Sequence, residues 1–135
     1  MILEVEKLIF DFLVEKLNDK NITVYHGLLP EINHEDREEG KSEKDLFPFA
    51  ILRVTKFEQT RNGIDSYDVP VDLEVWLGSK MDKEEDYLNN LSIGDYLKKE
   101  FLNESTVDGK FAIDQSFPFS IEYFTSEAEP YFYSV

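Results

Sequence analysis

Tyr67-Asp68-Val69-Pro70-Val71-Asp72-Leu73-Glu74-Val75-Trp76-Leu77 is the stretch that decides the fold. Tyr67, Val69, Val71, Leu73, Val75 and Leu77 alternate with Asp68, Pro70, Asp72, Glu74 and Trp76. Side chains of an extended chain point to opposite faces in turn, so this spacing predicts a strand with one buried face and one polar face. Pro70 has no N–H for a ladder hydrogen bond, which places an edge or a bulge there. Just upstream, Asn62-Gly63 is a hairpin signal, because both residues tolerate positive φ. The partner strand is then Phe47 to Thr60. Phe49, Ile51 and Arg53 stand opposite Ala50, Leu52 and Val54, so both faces are partly apolar and the strand is expected to be central.

Helical spacing appears on either side of this hairpin. Val5, Leu8, Ile9, Phe12, Leu13 and Leu17 form an apolar stripe that predicts a helix over Ile2 to Leu17. Asn18 to Asn21 suits a stop, and Ile22 to Tyr25 reads as a short strand before Gly27 and Pro30. A second helix is expected from about Lys83 to Leu102, capped by Asp82 or Ser79. Its stripe is Tyr87, Leu88, Leu91, Leu97 and Phe101, and Gly94 falls on it. A glycine inside a helix costs about 1 kcal/mol against alanine, so close approach to the sheet is expected there.

Asp108-Gly109 is a second turn, with strands at Phe111 to Ile113 and Phe117 to Phe124. The aromatic end, Pro130 to Tyr133, reads as a short strand or a docking segment. Glu31 to Asp45 has neither apolar period. The expectation is one domain over residues 1–135 with a mobile polar loop at about 31–46. The fold class is α+β: an antiparallel β-sheet packed against two α-helices as a two-layer sandwich.

Composition narrows the function. The 135 residues are 41% hydrophobic and include 11 Phe and 7 Tyr, enough apolar side chain for a core. The chain has no cysteine, which removes disulfides, thiol catalysis and Cys-based metal sites. The apolar N-terminal stretch carries Glu4, Glu6, Asp11 and Glu15, unlike the uncharged run of a signal peptide or a membrane span. Formal net charge is -15, from 29 acidic and 14 basic residues. Such a surface repels phosphate, so ordinary nucleic-acid or anionic-membrane binding is not expected. Solubility alone also explains acidity.

Motifs for chemistry are sparse. The two histidines, His26 and His34, have no metal-ligand spacing, and no serine sits in a GxSxG context. Gly40-Lys41-Ser42 resembles the end of a P-loop, but Glu35 holds the place of its first glycine. A calcium loop around Gly109 would end at Gln115, without the bidentate glutamate. No catalytic residue, cofactor or metal is therefore assigned. Two features remain. Asp68, Asp72 and Glu74, with Trp76 among them, form an acidic strand face. Tyr131, Phe132 and Tyr133 form an aromatic end. A solvated sheet face explains the first without function, and core packing explains the second. The functional readings are a surface where negative charge is useful and a subunit contact, since aromatic residues are enriched at interfaces.

Several local patterns resemble the tail completion or tail terminator proteins of long-tailed bacteriophages. They are the opening helix, Val24-Tyr25-His26-Gly27 with Pro30 following, the long loop leading into Pro48-Phe49-Ala50-Ile51, the Val71 to Trp76 strand, the next helix, and the Phe117 to Phe124 strand near a Pro-Tyr-Phe end. The resemblance spans the chain loosely, and none of these patterns is a strict signature. It implies a non-enzymatic virion protein that assembles as a ring, typically of six copies, on the tail tube protein. Such a ring stops tube growth and meets the head connector protein, with DNA passing through unbound. It implies assembly in the host bacterial cytoplasm and then a place at the tail–head junction. On this reading Asp68, Asp72 and Glu74 face the lumen, and Tyr131, Phe132 and Tyr133 lie at a subunit interface. The competing readings are another head–tail connector component, an acidic DNA mimic that occupies a basic nucleic-acid-binding protein, and an enzyme of unknown type.

Overall fold

The computed structural model describes residues 2–40, 42–61, 63, 67–68, 70–80, 82–103, 106–107, 111–114, 119–125 and 131–135. For residues 43, 44, 60, 67, 68, 106, 107, 131 and 132 it describes the backbone alone. Three helices run over Ile2–Leu17 (α1), His34–Glu38 (α2) and Glu84–Asn103 (α3). A five-stranded sheet contains Thr23–His26 (β1), Phe49–Phe57 (β2), Val71–Lys80 (β5), Tyr123–Thr125 (β8) and Tyr131–Ser134 (β9). Two small hairpins, Thr60–Arg61 (β3) with Tyr67–Asp68 (β4) and Thr106–Val107 (β6) with Phe111–Ala112 (β7), stand apart from it.

The sheet order is β1-β2-β5-β9-β8, which makes β2 an interior strand as its two apolar faces require. β2 and β5 are antiparallel partners, with Phe49 opposite Gly78 and Phe57 opposite Val71. The ladder slips between Val54 and Lys56, a bulge on β2. Pro70 sits just before β5, and its carbonyl accepts the Glu58 N–H at 3.1 Å. Asn62 and residues 64–66, which complete the expected turn, lie outside the described residues. So do Asp108, Gly109 and residues 115–118. The last stretch expected as a strand is shorter than its alternation suggests, with β8 only at Tyr123–Thr125.

The two-layer α+β architecture is as expected, with one refinement. β1 pairs with β2 in parallel, Thr23 beside Phe49 and His26 beside Leu52. The other pairs of the sheet, β2–β5, β5–β9 and β8–β9, are antiparallel. The crossover from β1 to β2 has room for this because it holds residues 27–48. That stretch is not featureless. Asn33 caps α2 through Asp36 N–H, and the Asp36 carboxylate reaches back to the Asn33 N–H. This reciprocal cap holds a short helix without any apolar face.

The core lies between α1, α3 and one face of the sheet. Val5, Ile9, Phe12, Leu13 and Leu17 of α1 pack with Ala50, Leu52 and Leu77 of the sheet and with Leu97 and Phe101 of α3. The helices also meet directly. Phe12 and Phe101 have ring centroids 4.7 Å apart, and Lys16 Nζ lies 3.0 Å from Glu100 Oε2.

The buried line of α3 differs from the expected stripe. Asn90, Gly94, Leu97 and Phe101 are buried, whereas Leu88 is 51% exposed. Asn90 explains the phase. Its Nδ2 donates to the Leu77 carbonyl at 3.3 Å and to Ser79 Oγ at 2.9 Å. Its Oδ1 accepts from Ser134 Oγ at 2.6 Å. Ser79 is thus a strand residue bound to Asn90, not a helix cap. At the start of α3 the Asp86 carboxylate accepts the Lys83 N–H instead. Among the described residues, no helix is long and apolar enough to cross a membrane.

Candidate functional site

Among the described residues, α1 and α3 pack on one face of the sheet. By strand alternation the opposite face carries Phe49, Ile51 and Arg53 of β2, then Asp72, Glu74, Trp76 and Gly78 of β5. Phe49 and Ile51 are buried yet stand outside the core cluster under the helices. Phe49 is covered locally. Its ring centroid lies 4.8 Å from that of Phe47 and 6.4 Å from that of Tyr133. The ring also fills the space over Gly78. Further along, Trp76 stacks on Phe124 at 5.8 Å and 20°. Phe124 is still 42% exposed, and neighbouring Tyr123 is 48% exposed.

The acidic strand face is a mixed one in the structure. Glu74 stands opposite Arg53, and Asp72 opposite Lys56. Cross-strand neighbours lie about 4.5–5.5 Å apart, so each acid has a cation beside it. The Glu74 carboxylate also accepts the Trp76 indole N–H at 3.2 Å. Arg53 donates from Nε and Nη2 to the Gly27 carbonyl, at 3.0 and 2.7 Å. Lys56 Nζ lies 3.0 Å from Glu58 Oε1. The Glu58 carboxylate holds the lysine pKa above its ordinary value, with Asp72 adding a smaller push. Asp72 is exposed and Glu74 half-buried. Asp68 lies in β4, outside the main sheet, and its side chain is outside the described residues.

Of the aromatic end, the backbone forms β9, which is paired on both sides by β5 and β8. The Tyr133 ring contacts Phe47 and Phe49 of its own chain. The side chains of Tyr131 and Phe132 lie outside the described residues. Alternation alone did not reveal the cations, because a cross-strand neighbour is fixed by register and not by local spacing.

Each histidine meets one glutamate. His26 Nδ1 lies 2.5 Å from Glu6 Oε1, with its ring stacked on Phe10 at 3.6 Å. His34 Nε2 lies 2.9 Å from Glu38 Oε1, one helical turn away. A groove of about 410 Å³ runs beside α3, lined by Lys20, Phe47, Ser79, Lys80 and Asp86 among others, and neither histidine borders it. Among the described residues, no group of three or more acids and histidines is placed to hold a metal ion. The arrangement offers contact surface and charge pairing, the chemistry of association. No protein-family model, curated protein or solved structure matches this chain.

Proposed function

We propose that this chain is a structural assembly protein of a phage virion, forming a ring that ends the tail tube and joins it to the head connector. One observation carries the reading: the sheet has a second face that no helix covers among the described residues, and this face bears the Trp76–Phe124 stack. Exposed aromatic surface of this kind suits contact with another protein. The net charge of -15 suits a passage for DNA, because phosphates slide past an acidic wall without adhering. In this reading Asp68, Asp72 and Glu74 face the lumen, and Tyr131, Phe132 and Tyr133 lie near the subunit contact.

The test is electron microscopy of lysates from a phage lacking this gene. Full heads beside separate tails of uncontrolled length are expected. Normal tailed particles would overturn the assignment. The same acidity favours a second reading, a DNA mimic that captures a basic nucleic-acid-binding protein. Pull-down of such a partner, with affinity falling steeply as salt rises, would establish that reading in its place.

A further inference from the structure

β1 is the last strand on its side of the sheet, in the order β1-β2-β5-β9-β8. The Gly27 N–H donates to the Leu52 carbonyl, so the odd-numbered residues of this segment turn their backbone groups toward β2. Val24 and His26 therefore turn theirs outward. Among the described residues, no strand takes them up. The His26 carbonyl accepts the Leu28 N–H at 2.8 Å and keeps a second lone pair. Thr23 to His26 holds no proline, lysine or bulge, the usual guards of an edge.

The helix above this edge is apolar on the same side. Phe10 stacks on His26. Leu3, Phe10 and Val14 recur at helical spacing and share one flank of α1. Leu3 is 62% exposed and Val14 41%. The crossover that follows β1 is held on the other face at both ends. Arg53 binds the Gly27 carbonyl, and the Phe47 ring meets those of Phe49 and Tyr133.

We propose that β1 and α1 together form a two-fold self-association surface, on which β1 of a second copy of this chain pairs antiparallel with β1 of the first. With the axis at Tyr25, each Val24 exchanges two backbone hydrogen bonds with His26 of the other copy. The helix layer fits the same step. Within the chain α1 lies over β1 and β2, and α3 lies two strands further on, over β5 and β9. At that step the two helices touch through Phe12 and Phe101. Across the axis the two α1 helices again stand two strand spacings apart, about 9.5 Å. Packed helices lie about 8–10 Å apart. A foreign strand would satisfy the β1 edge alone, whereas a second copy also brings the helix that the flank of α1 lacks.

Because Phe10 lies on His26, the axis passes close to Phe10. Leu3, Phe10 and Val14 of each copy then leave water against the other. Lys7 of each lies beside Val14 and Asp11 of the other, which sets opposite charges across the axis. A two-fold joint uses the same patch on both copies and closes on itself. It is therefore separate from the head-to-tail contact of a ring and does not depend on the phage setting.

The chain has no cysteine, so single cysteines report contacts cleanly. Tyr25→Cys places one thiol from each copy at the axis, with Cα atoms about 4.5 Å apart, within disulfide range. Thr23→Cys sets the two about 13 Å apart along the strands, beyond that range. Under mild oxidation Tyr25→Cys is expected to yield several-fold more disulfide dimer than Thr23→Cys. Equal yields, or no dimer from either, would overturn the joint. Sedimentation equilibrium at about 0.15 M sodium chloride, where the screening distance is about 8 Å, gives a second test. The unaltered chain is expected to be dimeric. Val14→Lys brings an ammonium beside Lys7 of the other copy and is expected to weaken the dimer about tenfold or more, with circular dichroism unchanged. A monomeric unaltered chain, or a dimer indifferent to this change, would overturn the proposal. Tyr25→Cys dimers together with normal particles from the gene deletion would keep the joint and remove the tail assignment. Unterminated tails without the crosslink would do the reverse.

Discussion

Gly78 and Gly94 are both buried, but an added methyl group meets different neighbours at the two positions. At Gly78 a Cβ would stand 2.3 Å from Phe49 Cζ, far inside van der Waals contact with the ring. Phe49 is itself 2% exposed and packed by Phe47 and Tyr133, so the ring has little room to move. Gly78→Ala is expected to lower stability by about 1–3 kcal/mol, the usual range for overpacking, measured by urea unfolding. At Gly94 a Cβ would meet Ile121 Cδ1 at 3.5 Å, an ordinary contact. The expected tight approach of this helix to the sheet is therefore not what requires glycine. Gly94→Ala is expected to raise stability by up to about 1 kcal/mol through helix propensity. An unchanged or lowered urea midpoint would show that the Ile121 contact is tighter than it looks.

Among the elements, the bond between α3, β5 and β9 runs through one side chain. Asn90 is 1% exposed and holds the Leu77 carbonyl, Ser79 and Ser134, which is also 1% exposed. Asn90→Ala is expected to cost about 1–3 kcal/mol, because buried polar partners lose their bonds. Hydrogen exchange should show the loss first in β9. Uniform loss across all strands would argue against a local role.

Asn90 also marks where sequence reading stops. α1 was legible to the residue, since its stripe is apolar throughout and faces one core. β5 was legible from alternation over Val71 to Leu77, but Tyr67 and Asp68 of the expected strand fall in β4, and β5 runs on to Lys80. α3 was placed within one residue at each end, but its phase was set by a polar residue that a search for apolar spacing passes over. The parallel β1–β2 pair was hidden because pairing direction depends on the route of residues 27–48. α2 was missed because its cap is polar and its faces carry no period. The acidic face was found, but Arg53 and Lys56 enter it only through register.

Across the whole molecule, 29 acids oppose 14 bases, and the fold confines this charge to one small surface. Self-repulsion should lower stability when the ions of the solvent are few. Raising sodium chloride from about 0.01 to 0.15 M shortens the screening distance from about 30 to 8 Å. The expected result is a higher Tm in circular dichroism, rising by several degrees and then levelling. A Tm indifferent to salt would mean that repulsion among the excess acids does not limit stability.

The place of β9 between β5 and β8 also sets an order of events on the ribosome. A nascent chain that has emerged as far as Thr125 has β1, β2 and β5 ready to pair, but β8 has no strand to join. The Asn90 carbonyl oxygen meanwhile waits for the Ser134 hydroxyl. Only when β9 arrives does it fill the gap, seat β8 beside it and complete the network under α3. Synthesis must run through the final strand before the sheet exists as one piece, so the half-made domain is the form most exposed to capture by chaperones.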